Sequence, residues 1–289
     1  MKTKILFLIL TFAWFISLSA CTSPVENDVS DNSRIITVSV LPEKYFVERI
    51  GGEHVQVNVM VGPGESPHSY EPKAKQMAAL SNSALYFAIG VEFEDAWMER
   101  ITSANPGLRV VDLSQDISKL PSSDADHNED MDPHIWTSPE MGKTIARKIG
   151  FVLIELDPQH ADDYQANLAV LLRDIEQLQA EITNSISQMD THQFMVFHPG
   201  WGYFANEFGL EQIPIEIGGS EPSASELAHL IDTAKNDNIR VIFAQPELST
   251  QSADFIASEI GGRVILISPL AEDWLENLRL VSQTFADAL

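Results

Sequence analysis

Cysteine is nearly absent from this chain: Cys21 is the only one in 289 residues. One cysteine excludes an internal disulfide and a site built on several thiolates. Basic residues are also scarce, with 18 Lys and Arg against 42 Asp and Glu, a formal charge of −24. Duplex binding depends on cationic contacts to phosphate, so the charge argues against a nucleic-acid partner. An acidic surface keeps a protein soluble and enriches cations near it. His-Glu-x-x-His and Gly-x-Ser-x-Gly are both missing, so no familiar hydrolytic set is present and the chain reads as a non-enzyme.

What is present begins with two lysines, Lys2 and Lys4, an apolar run from Ile5 to about Phe15, and small residues before Cys21. That order describes a secretory leader, and the run is short for a spanning helix, which needs about 20 apolar residues. Leu18-Ser19-Ala20-Cys21 resembles a bacterial lipobox, which implies lipidation of Cys21 and anchoring to a membrane. Residues 1–20 are read as signal peptide and 21–33 as a polar tether, placing the rest outside the cytoplasm.

Beyond the tether, short β-rich runs alternate with amphipathic helical stretches. Ile35–Val40, Val55–Val61, Ala84–Ile89 and Arg109–Asp112 form one set, and Gln193–Phe197, Gln212–Ile217, Val241–Ala244 and Arg263–Ile267 a second. Such alternation predicts parallel sheets covered by helices. The fold class is therefore α/β, with two similar lobes that each carry a mainly parallel four-stranded sheet. Tyr164, Leu168, Leu171, Ile175, Leu178, Ile182, Ile186 and Met189 recur every three or four residues. They predict one long helix running along both lobes. The expected boundaries are 34–158 for the first lobe, 159–190 for the linking helix and 191–289 for the second lobe. Ser138-Pro139 and Ser223-Ala-Ser-Glu226 are helix starts. The stretch 122–132, five acids and His127 without a basic residue, reads as an acidic surface loop.

Three of the eight histidines stand in unusual contexts: His68 in Gly64-Glu-Ser-Pro-His-Ser-Tyr-Glu-Pro72, His134 in Asp132-Pro-His-Ile-Trp136 and His198 in His198-Pro-Gly-Trp-Gly-Tyr-Phe204. His68 and His198 fall in segments after strands, where parallel sheets bind ligands, and His134 precedes the Ser138 helix. Three converging imidazoles would form a nitrogen-rich pocket at the lobe interface, suited to a divalent ion such as zinc. The same composition, completed by water, also serves zinc-dependent hydrolases, which is the alternative from a different class.

These motifs, with Glu207-Phe-Gly-Leu210, Ile242-Phe-Ala-Gln-Pro246 and Ile260-Gly-Gly262, resemble the metal-binding solute-binding lipoproteins of ABC transporters. The resemblance runs from about Arg34 to the C-terminus. It implies a cluster A-I binding component for zinc or manganese, two lobes joined by one rigid helix, monomeric, delivering its ion to an ABC permease. It also implies metal ligation by His68, His134 and His198. A third histidine, where manganese-type members often have a carboxylate, favours zinc, with manganese as the alternative. The family often places an aspartate before Pro-Leu in the last loop, and Ser268 stands there; Gln245 stands where many relatives have glutamate. The fourth ligand is then Glu65, Ser268 or water. Anchored members of this architecture also raise an adhesin role as an alternative.

Overall fold

The computed structural model describes residues 34–122, 131–189, 191–217 and 219–289. The expected leader, Cys21 and the tether lie outside the described residues, as does His127 with most of the acidic loop. Eight strands form two sheets, as the alternation predicts. The first holds β1 (Arg34–Val38), β2 (Val55–Val59), β3 (Leu85–Ala88) and β4 (Arg109–Asp112) in the order β2-β1-β3-β4, all parallel. The second holds β5 (Gln193–Val196), β6 (Glu211–Pro214), β7 (Val241–Ala244) and β8 (Arg263–Leu266) in the order β6-β5-β7-β8, again all parallel. The two sheets thus repeat one topology. In each, the chain first steps to one side of the opening strand and then to the other. That reversal opens a crevice at the carboxyl ends, between β1 and β3 and between β5 and β7.

Helices α1 (Leu41–Gly51), α2 (Ala74–Leu80) and α3 (Glu92–Ala104) connect the first four strands, and α6 (Gly202–Phe208), α7 (Ala224–Asn236) and α8 (Gln251–Ile260) the second four. Between the sets run α4 (Pro139–Leu156) and α5 (Ala161–Ile186), and α9 (Trp274–Ala288) closes the chain. The 26 residues of α5 extend about 39 Å at 1.5 Å per residue. Its buried side chains are Tyr164, Leu171, Ile175, Leu178, Ile182 and Ile186, the predicted stripe. They join one hydrophobic core that reaches from Ile36, Val38 and Phe87 of the first sheet to Phe194, Val196 and Phe243 of the second. A smaller cluster, Met195, Ile242, Ile256 and Ile260 among it, fills the opposite face of the second sheet under α7 and α8. No helix among the described residues is long and apolar enough to cross a membrane.

Under the first sheet's carboxyl edge lies a buried acidic knot. Glu43 accepts from the backbone N–H groups of Ser39 and Val40 at 2.9 Å, capping α1, and Glu94 accepts from Ser39 Oγ and from the N–H groups of Ile89 and Gly90. Burial raises both carboxyls above the ordinary range, and their mutual charge raises Glu43 further.

Candidate metal centre

The three singled-out histidines meet at one point. His198 Nε2 lies 3.2 Å from His68 Nε2 and 3.3 Å from His134 Nε2, and one ring nitrogen from each histidine falls within 4.8 Å of the other two. Nitrogens held 2.0–2.1 Å from a shared tetrahedral zinc stand about 3.4 Å apart. The spacing already suits one ion.

Each ring is fixed from behind by a carboxylate on its other nitrogen. Glu92 stands 3.0 Å from His68 Nδ1, Asp132 2.8 Å from His134 Nδ1, and Glu216 2.7 Å from His198 Nδ1. An ionised carboxylate only accepts, so each Nδ1 donates to it, and in the neutral imidazole each Nε2 is left with the lone pair. Three lone pairs aimed at one point repel one another unless a cation joins them, and carboxylate partners of this kind raise the basicity of metal-bound imidazoles.

The secondary structure explains the convergence. His198, Glu216 and Gln245 each lie two residues beyond Val196, Pro214 and Phe243, which are paired across β5, β6 and β7. They form a row at the second sheet's carboxyl edge, at its crevice. His68 comes from the long β2–α2 connection and is exposed, whereas His134 and His198 are 7% and 6% exposed. His134 opens the turn Ile135–Thr137 before α4, and Asp132 also accepts its backbone N–H at 2.8 Å. Burial lowers His198 below the ordinary imidazole value, opposed in part by Glu216. Around Glu92 the partial burial pushes the carboxyl up, but the hydrogen bond and charge of His68 carry it down to about 2.

The His134 segment is fastened across the molecule. Tyr203 Oη donates to Asp132 O at 2.9 Å, Trp136 Nε1 donates to Pro269 O at 2.8 Å, and Trp274 Nε1 donates to Trp136 O. Glu207 of α6 accepts from Ser138 Oγ and from the Glu140 N–H, so a side chain of the second half caps α4. Trp136 and Trp201, close in sequence to His134 and His198, are 1% and 0% exposed and belong to the core.

Among the fourth-ligand candidates, Glu65 accepts from the Gly62 N–H at 2.9 Å and pairs with Lys73. Ser268 Oγ donates to Glu247 Oε1 at 2.5 Å and accepts from the Leu270 N–H at 3.0 Å. Both line a cavity of about 210 Å³ with Glu247. Among the described residues no carboxylate joins the three nitrogens. Close to His68 in sequence, Tyr70 Oη donates to Gln76 at 2.7 Å and Glu71 is exposed. Glu92 and Glu216 were not apparent from the sequence. Their only signal is position, just past β3 and β6, on strands that flank or approach the histidine-bearing edge.

Residues 36–288 match the family described as zinc-uptake complex component A, periplasmic. The chain belongs to that family. Zinc-binding solute-binding components of ABC transporters are among its members. A crystal structure of a ZnuA deletion mutant with zinc bound shares 45% identity over 89% of this chain and 98% of its own, with a TM-score of 0.85. A putative metal-binding protein of Chlamydia muridarum is 30% identical over 87% of this chain and 90% of its own length. The high-affinity zinc uptake system protein ZnuA of Bacillus subtilis is 27% identical over 89% and 86%.

Proposed function

We propose that this chain takes up a zinc ion as its cargo through His68 Nε2, His134 Nε2 and His198 Nε2. The observation that carries the reading is that the three Nε2 atoms gather at one point while every Nδ1 is held by a carboxylate. Three neutral nitrogen ligands favour zinc over the oxygen-preferring manganese. Water completes the tetrahedron, since Glu65 is engaged by Lys73 and Gly62, and Ser268 by Glu247. The cargo then passes to an ABC permease, with the monomeric chain tethered outside the cytoplasm through a lipid on Cys21. The work is capture and release, without bond-making in a substrate, so the hydrolase reading is set aside; an adhesin role beside metal capture keeps support from the similar laminin-binding protein of Streptococcus agalactiae, which is 26% identical over 89% of this chain with a TM-score of 0.80.

Calorimetric titration of the apo-protein with zinc and with manganese at pH 7.5 tests this. One zinc ion per chain, bound more tightly than manganese and lost in His134→Ala, is the expected result. Equal affinity in His134→Ala, or preference for manganese, defeats it. Labelling with radioactive palmitate, abolished by Cys21→Ser, checks the anchor.

A further inference from the structure

Gln245 lies beside His198 in the row at the second sheet's edge, and its side chain is buried at 4% exposure. Its Nε2 has no hydrogen-bond partner. A buried donor left unmatched bears its full desolvation penalty, so such a group is costly unless an acceptor arrives. Gly200 shows what stands beside that donor. A β-carbon at 200 would stand 3.0 Å from Gln245 Nε2 and 3.5 Å from His134 Cδ2, the atom bonded to the coordinating nitrogen. The missing side chain at 200 keeps open a gap between an amide donor on one side and a ligand ring on the other.

We propose that Gln245 is a positioning residue for the ion's fourth ligand: its Nε2–H donates to the oxygen of a metal-bound water seated in the gap beside Gly200. This rests on the three-imidazole reading of the site. A neutral donor holds a water but offers the cation no charge of its own, which suits four-coordinate zinc. Glutamate of the same length would present an anionic oxygen instead, which suits manganese with its preference for oxygen and higher coordination. Gln245 therefore sets metal preference without touching the ion.

The test measures zinc and manganese dissociation constants by chelator competition in wild type, Gln245→Leu and Gln245→Glu. It adds melting temperatures of the apo-proteins and visible spectra of their cobalt(II) forms. In Gln245→Leu the apo melting temperature should hold or rise, because an unmatched donor is gone, while zinc binding weakens by about tenfold and the cobalt bands shift. In Gln245→Glu the preference for zinc over manganese should narrow by about tenfold. Unchanged zinc affinity and cobalt bands in Gln245→Leu overturn the proposal; so does a lower apo melting temperature with unshifted bands, which assigns Gln245 to packing. Wild-type protein that takes no zinc defeats the three-imidazole site itself and is told apart from these outcomes.

Discussion

The molecule carries two histidine clusters with the same ingredients and different geometry. His54 and His160 stack face to face, with ring centroids 3.8 Å apart and planes 11° from parallel, and each has an aspartate partner, Asp163 at 3.0 Å and Asp157 at 2.8 Å. In the other cluster the rings of His68 and His134 stand edge-on to His198, at 68° and 70°. An imidazole lone pair lies in the plane of its ring. Stacked rings therefore send their lone pairs out along separate planes, whereas edge-on rings can direct them to a common point. Both are built from histidines with carboxylate partners, two rings in one and three in the other; beyond that count, ring orientation separates a packing pair from a chelating triad.

The largest expected effect breaks that comparison if it fails. His198→Ala should weaken zinc binding by about a thousandfold or more, because it removes a central, buried ligand, while the double variant His54→Ala/His160→Ala should stay within about twofold of wild type. Similar losses in both would show that histidine content, and not ring orientation, controls binding. A smaller change comes from the supporting carboxylates: Glu216→Gln and Asp132→Asn should each weaken zinc by about 10- to 100-fold, and Asp163→Asn should leave it unchanged.

The smallest expected effect is on apo stability in acid. Burial holds His198 below the ordinary imidazole value, so the unfolded chain binds more protons than the folded one once pH drops under about 6.5. Its contribution to stability is then lost as pH falls through that value toward the lowered one, and levels off below it. Melting curves of apo-protein from pH 7.5 to 5.5 should decline less steeply in His198→Gln than in wild type. Parallel curves would remove His198 as the source.

The strands were legible because period and composition act locally. Arg109–Asp112 and Val241–Ala244 are found with the bounds that the sequence predicts, and the apolar stripe of α5 follows from 3.6-residue spacing. β6 ends at Pro214, short of the expected Ile217, as the chain turns through Ile217 and Ser220. The histidines were legible for a different reason: each stands in a proline-rich motif at the end of an element. The partners of His68 and His198 were not. Glu92 is 24 residues from His68 in the numbering, and Glu216 is 18 from His198; only the strand order makes them neighbours. Glu207 is hidden in the same way, since a carboxylate that caps α4 from α6 leaves no trace in the local sequence of either.

The fastening of the Asp132–Trp136 segment to Tyr203, Pro269 and Trp274 ties a ligand from the first half of the chain to the framework of the second half. His134, though it precedes α4 in the chain, is braced against the same framework as His198, whereas His68 reaches the centre from the exposed β2–α2 connection with Glu92 of α3 behind it. A widening of the crevice that moved the first sheet's edge would carry His68 and Glu92 together, away from two ligands that share one framework.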